Sequence, residues 1–318
     1  MPNLTETALR LLRNYLALST RNTYRSGVRY FLRFCLHERI NLRRLNQKYI
    51  LLFLARLFND GLSSSTVRVY LAAISNFCAE HCYPDPVGFS AVQRAIKGFV
   101  RLRGHACDKR LPITIPIMRR LKSNIKASTL PTSDQRLLWA ALNTALFGLF
   151  RVGELTTRYS SSFDSHREHT ISFKDVVLHK DHVTISLRHS KCNEDARDQS
   201  IVLYATSRSV CPVKAIRKYF DYRIPLRRAN LPFFMFADGS TLTPTRFSKE
   251  LRCLLTNVPC AHLITSHSFR IGGATIAAEN GISSDIIQAA GRWKSQAYRG
   301  YIRSKKPMPR IPFYPKID

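Results

Sequence analysis

The sequence predicts a mainly α-helical chain with one small antiparallel β-sheet, split into a helical first domain and a mixed α+β second domain. Three observations predict it. Apolar residues recur at helical spacing through the first hundred positions, alternate with polar residues over a short central stretch, then return to helical spacing. The length of 318 residues suits two domains of ordinary size, and an apolar fraction of 45% is ample for two cores. Between the two patterns runs RLRGHACDKRLPITIP, residues 101–116, basic and carrying a glycine and two prolines.

The first domain, residues 1–104, reads as a small helical bundle. In TRNTYRSGVRYFLRFCLHE the positions Val28, Phe31, Leu32, Cys35 and Leu36 fall on one amphipathic stripe, with Arg25, Arg29 and Arg33 on another face. Asn46 is placed to cap the next helix and Gly61 to end it. Serines open a third helix, SSSTVRVYLAAISNFCAEHC, which Tyr83-Pro84 closes, and a shorter one covers Ala91 to Val100. Residues 105–116 are expected to act as a linker.

The second domain, residues 117–305, opens on SDQRLLWAALNTALFGLFRVGELTT, which predicts one long helix. Phe147, Phe150 and Trp139 within it are expected to serve the core. TISFKDVV, HVTISLRHSK and QSIVLYA predict the sheet, since Val183, Ile185 and Leu187 alternate with polar residues. Helices resume at CPVKAIRKYFDYR, at TRFSKELRCLLTN and from His267 onward, the last bearing the tyrosines of AYRGYIR. The tail from 306 to 318 holds four prolines and cannot be regular helix.

Charge narrows the partners. Fifty Lys and Arg against 21 Asp and Glu give +29, which points to a polyanion such as nucleic acid. The excess is +12 over residues 1–110 and +17 over 111–318, so both domains are expected to touch phosphate backbone. Arg25, Arg29, Arg33, Arg68 and Lys97 are the candidate phosphate contacts of the first domain. No apolar run approaches the ~20 residues that cross a bilayer, and MPNLTETALR lacks a signal-peptide layout, so a soluble intracellular protein is expected. The eight cysteines form no CxxC pair. Cys78, His81 and Cys82 lack a second pair at finger spacing, so no metal is expected.

The chemistry concentrates near the end. In HSFRIGGATIAAENG, His267 and Arg270 lie three apart and share a helix face, beside an apolar stripe of Ile271, Ala274 and Ala278. Trp293 and the tyrosines Tyr298 and Tyr301 follow, after Arg151 in LFRVGELT and Lys191 in RHSKCNEDARD. This order resembles the tyrosine recombinases, the phage-integrase and Cre-type enzymes, and is also similar to recombinases of DIRS-like and Crypton elements. HSFRIGGAT, AGRW and YIR carry most of the resemblance.

The resemblance implies a helical core-binding (SAM-like) domain followed by a catalytic domain. It also implies a DNA recombinase that needs neither cofactor nor ATP. It makes Arg151, His267 and Arg270 phosphate-site residues, with Glu154 as a brace. Lys191 becomes the hairpin acid for the leaving 5′ oxygen, Trp293 a donor and buttress, and Tyr301 the nucleophile. Tyr301 lies eight residues after Trp293, one fewer than the family leads one to expect, but Tyr298 at five fits worse. His267 can serve as base or as phosphate ligand. The expected partners are double-stranded DNA and a homo-tetramer on two duplexes, with the tail docked on a neighbour or else an unordered end. Residence is nuclear for a eukaryotic mobile element, otherwise cytoplasmic or with the nucleoid. Rival readings are a catalytically silent DNA-binding protein of the same fold, a metal-dependent nuclease or transposase built from carboxylates, and a type IB topoisomerase-like enzyme.

Overall fold

The computed structural model describes residues 3–104, 108–157, 170–187, 199–223 and 231–303. The chain forms two compact units, residues 1–108 and 109–318.

The first unit contains α1 (Leu4–Asn14), α2 (Leu18–His37), α3 (Gln47–Asn59), α4 (Ser64–Glu80) and α5 (Ser90–Arg103). Local chemistry sets the ends. The Asn46 side chain accepts the Lys48 N–H at 3.0 Å, and Gly61 takes φ +79° just beyond α3, which suits a residue without a Cβ. Ser63 caps α4 by accepting the Thr66 N–H at 3.2 Å. Phe31, Ile50, Phe53, Leu57 and Ile74 make the core.

The buried face of α2 differs from the expected stripe. A Cβ at Gly27 would lie 3.0 Å from the Tyr70 ring and 3.2 Å from Ala73, so α2 approaches α4 most closely there. The inward face is therefore Gly27, Phe31, Phe34 and Cys35, whereas Leu36 is 81% exposed and Leu32 is exposed as well. A tight crossing at a glycine outweighs the plain count of apolar positions.

The second unit begins with α6 (Ile115–Ala127), α7 (Thr132–Phe147) and α8 (Val152–Leu155). The strands β1 (Val176–Leu178), β2 (His182–Leu187) and β3 (Gln199–Tyr204) then form an antiparallel sheet in that order. Val183, Ile185 and Leu187 point inward from β2, as their alternation predicts. The helices α9 (Pro212–Arg223), α10 (Pro244–Leu254), α11 (Ser268–Glu279) and α12 (Ser284–Ala290) follow, then a 3₁₀ segment, Gln296–Tyr301.

Three expectations need correction. The helix expected over 133–157 is two helices, because Leu149 adopts a left-handed φ of +49° and turns the chain before Arg151. A Cβ at Gly148 would lie 2.2 Å from the Phe150 ring, which the turn folds back over it. The tyrosines sit on a 3₁₀ segment, not an α-helix. Part of the stretch 105–116 is integral to the second unit. Leu111 N–H donates to the Leu263 carbonyl and Ile113 N–H to that of Ser268, each at 3.0 Å, and Ile113 is wholly buried. The tail from 306 onward lies outside the described residues.

Candidate active site

Two glycines set the position of α11. A Cβ at Gly272 would lie 2.0 Å from the Ile113 carbonyl oxygen, and one at Gly273 would lie 2.3 Å from that of Leu146. Only bare backbone lets the helix press against both the 113 segment and the end of α7. That contact delivers Arg270 to the turn between α7 and α8. There its guanidinium donates to the carbonyls of Leu149 and Gly291.

Arg270 is 1% exposed, and its guanidinium carbon stands 4.1 Å from the Trp293 ring centroid and 5.7 Å from that of Tyr301. Burial pushes its pKa down to about 10, with the neighbouring Arg151 and Arg292 cations acting in the same sense. Its Nε and the Trp293 indole Nε1 are both buried without a hydrogen-bond partner among the described residues. Buried donors of this kind are costly unless a ligand completes them.

Arg151 stands at the N-cap of α8. Its Nη1 donates to Glu154 Oε1 at 2.9 Å, and its backbone N–H donates to Oε2 at 2.8 Å. Arg292, absent from the sequence-derived set, completes this brace. Its Nη2 pairs with Glu154 Oε2 at 2.8 Å and donates to the Leu149 carbonyl at 3.2 Å, while Nη1 donates to that of Gly148 at 3.2 Å. Arg292 itself adopts φ +56°, and its guanidinium lies 5.0 Å from the Phe150 ring centroid. Three guanidiniums thus surround one carboxylate, an excess that favours an anion. Nothing in AGRW marks Arg292 as buried, since an arginine in sequence reads as a solvated charge.

His267 precedes α11, half-buried, with its ring centroid 4.9 Å from Tyr301. Trp293 lies 5.0 Å from Tyr301 on another side. Thr275 anchors the tyrosine segment: its hydroxyl accepts the Arg303 N–H at 3.0 Å and lies 3.2 Å from the Tyr301 carbonyl. Tyr298 is instead buried in a small cluster with Leu149, Ala274, Ile287 and Trp293. Hydrogen bonds with Ser284 and Arg299 hold its phenol below the ordinary tyrosine pKa. A lowered pKa would favour a phenolate, but the position decides: Tyr301, not Tyr298, has His267 beside it and the Arg270 guanidinium within 6 Å.

One site therefore brings together Arg151, Glu154, His267, Arg270, Trp293 and Tyr301. Lys191 lies outside the described residues; Lys174 and Lys180 of the same hairpin region are exposed. Arg25, Arg29, Arg33, Arg68 and Lys97 are exposed on the first unit. Cys78 is buried and Cys82 exposed, and no three His, Cys, Asp or Glu side chains gather into a metal site among the described residues. No described helix is long and apolar enough to cross a membrane.

Comparison with solved structures places the fold. A lambda integrase fragment, solved as a dimer bound to a COC′ core site, aligns with a TM-score of 0.60 at 15% identity, covering 99% of this chain and 97% of that one. The XerH site-specific recombinase bound to its difH substrate gives 0.58 at 15% identity over 90% and 76% of the two chains. The fold is that of the tyrosine recombinases. The Tn1549 transposon integrase, in complex with circular intermediate DNA, shares the tyrosine recombinase fold at a TM-score of 0.56 and 14% identity, over 94% of each chain. Residues 9–81 match the family described as phage integrase, N-terminal SAM-like domain. No curated protein matches the chain.

Proposed function

We propose that the chain is a site-specific DNA recombinase that cuts and rejoins duplex DNA through a 3′-phosphotyrosyl link on Tyr301. The observation that carries this reading is the environment of that phenol: His267 and Trp293 at about 5 Å and the buried Arg270 guanidinium at 5.7 Å. An attacked phosphodiester gathers charge on its non-bridging oxygens. Arg151 and Arg270 supply forked donors to those oxygens, and the orphan Trp293 Nε1 offers another. The phenol oxygen bonds to phosphorus as the 5′ oxygen leaves, and His267 takes the phenolic proton or binds phosphate. Lys191 protonates the leaving oxygen in this scheme. Bond energy stays in the phosphotyrosyl link, so attack by a new 5′ hydroxyl reseals the strand without ATP or metal.

Solved proteins of this fold bound to DNA, a transposon integrase among them, support a duplex partner and a role in moving a mobile element. Four strand exchanges require four nucleophiles, hence a homo-tetramer on two duplexes. Nuclear residence follows if the element is eukaryotic.

The test is to trap covalently bound DNA from a pool of randomised nicked duplexes, sequence it, and place two copies of the recovered site on one plasmid. Exchange between the sites supports recombination. Relaxation without exchange supports the topoisomerase reading, and tight binding with no trapped DNA the silent DNA-binding one.

A further inference from the structure

A second site opens at the far end of α7. Arg151 follows the carboxyl end of that helix, while a cavity of about 490 Å³ adjoins its amino end and the faces of α6 and α9. A 16-residue helix spans about 24 Å, so the cavity is separate from the tyrosine site.

Its walls carry Lys122, Lys126, Arg136, Arg208, Lys214 and Lys218 against a single carboxylate, Asp221. Six cations and one anion around a concave space repel one another in the empty state. Lys122 shows the effect, its pKa lowered by burial and then by Lys126, Lys218 and Lys214. Its ammonium donates to the Ser209 carbonyl at 3.0 Å and lies 5.3 Å from the Trp139 ring centroid, which fixes it at the rim of an aromatic wall. Lys214 and Lys218 stand one turn apart on α9, about 6 Å along the axis, so one chain of linked phosphates can meet both.

We propose that this cavity binds a phosphate chain, its successive phosphates held by the Lys122, Lys214 and Lys218 ammoniums beside Trp139. The chain is either a free polyphosphate compound or consecutive phosphates of a nucleic-acid strand. The six cations line one concave, half-open space, with Lys122 half-buried at its wall. This site is independent of Tyr301 and would exist in a protein with no recombinase activity.

The experiment titrates the full chain with inorganic tripolyphosphate, and separately with a single-stranded thymidine oligonucleotide, at fixed ionic strength. Binding is read by calorimetry and by tryptophan emission. Lys214→Glu/Lys218→Glu is compared with Arg29→Glu/Arg33→Glu, which removes the same charge from the other unit. A fall in tripolyphosphate affinity of about tenfold or more in the first variant, and under about threefold in the second, is expected. Equal losses in both would mean diffuse attraction by net charge and would overturn the proposal, as would no binding by wild type. Should the α9 variant unfold, Trp293→Phe isolates the Trp139 emission: a tripolyphosphate-induced change in it is expected, and its absence would overturn the proposal. If tripolyphosphate competes with the oligonucleotide for that signal, the strand is the source; if only tripolyphosphate gives the signal, a free polyphosphate is.

Discussion

Arg292 and Glu154 are joined by a 2.8 Å ion pair in which both side chains are almost fully removed from solvent, and the same carboxylate holds Arg151. The Leu149 carbonyl accepts from both Arg292 and Arg270. Residue 149 is in a left-handed conformation that costs a non-glycine residue about 1–3 kcal/mol, so the two arginines hold a strained turn in place.

Removing one partner should be far worse than removing both. Arg292→Ala leaves the buried Glu154 carboxylate to Arg151 and the Gly148 and Leu149 carbonyls without this donor, and is expected to cost about 1–3 kcal/mol in urea unfolding. Glu154→Gln/Arg292→Met should recover most of that stability yet leave strand cleavage depressed at least about tenfold, because Arg151 loses its brace. Equal recovery of stability and cleavage would make the pair purely structural.

Glycine substitutions separate packing from conformation. Gly272→Ala drives a Cβ to within 2.0 Å of the Ile113 oxygen and should destabilise the second unit by about 1–3 kcal/mol or more. Gly153→Ala, on α8, meets nothing within 4 Å and should be neutral or stabilise by up to about 1 kcal/mol. Thermal melting of both checks the seating of α11.

Arg270 predicts an anion effect with a definite sign. Folding lowers its pKa to about 10, so above that pH the folded state binds fewer protons than the unfolded chain. The buried charge therefore opposes folding in full below about pH 10, and this penalty fades as pH rises beyond it. At neutral pH, replacing chloride by sulfate at constant ionic strength should raise the melting temperature more in wild type than in Arg270→Gln. Equal shifts would place sulfate elsewhere on this basic chain.

Much of this was legible in residues. His267, Arg270, Trp293 and Tyr301 were picked out through the resemblance of HSFRIGGAT, AGRW and YIR to the tyrosine recombinases, although Trp293 and Tyr301 lie one residue closer than that family leads one to expect. The sheet was legible because β2 alternates. Arg292 was hidden because an arginine reads as solvated charge, and only the turn around Leu149 reveals two carbonyls, of Gly148 and Leu149, and the Glu154 carboxylate that accept from it. The break after α7 was equally hidden, since neither Leu149 nor Arg292 is a residue from which a left-handed conformation is expected. Gly27 explains the misplaced stripe of α2: which face turns inward depended on where α4 could come closest.

The choice between the two tyrosines tests the central claim most directly. Nicked duplexes carrying a recovered site are incubated in EDTA with wild type, Tyr301→Phe and Tyr298→Phe, denatured, and assayed for DNA bound covalently to protein. An adduct formed without metal by wild type and Tyr298→Phe, and absent in Tyr301→Phe, is the predicted result. An adduct that survives in Tyr301→Phe, disappears only in Tyr298→Phe, or requires a divalent metal would contradict it.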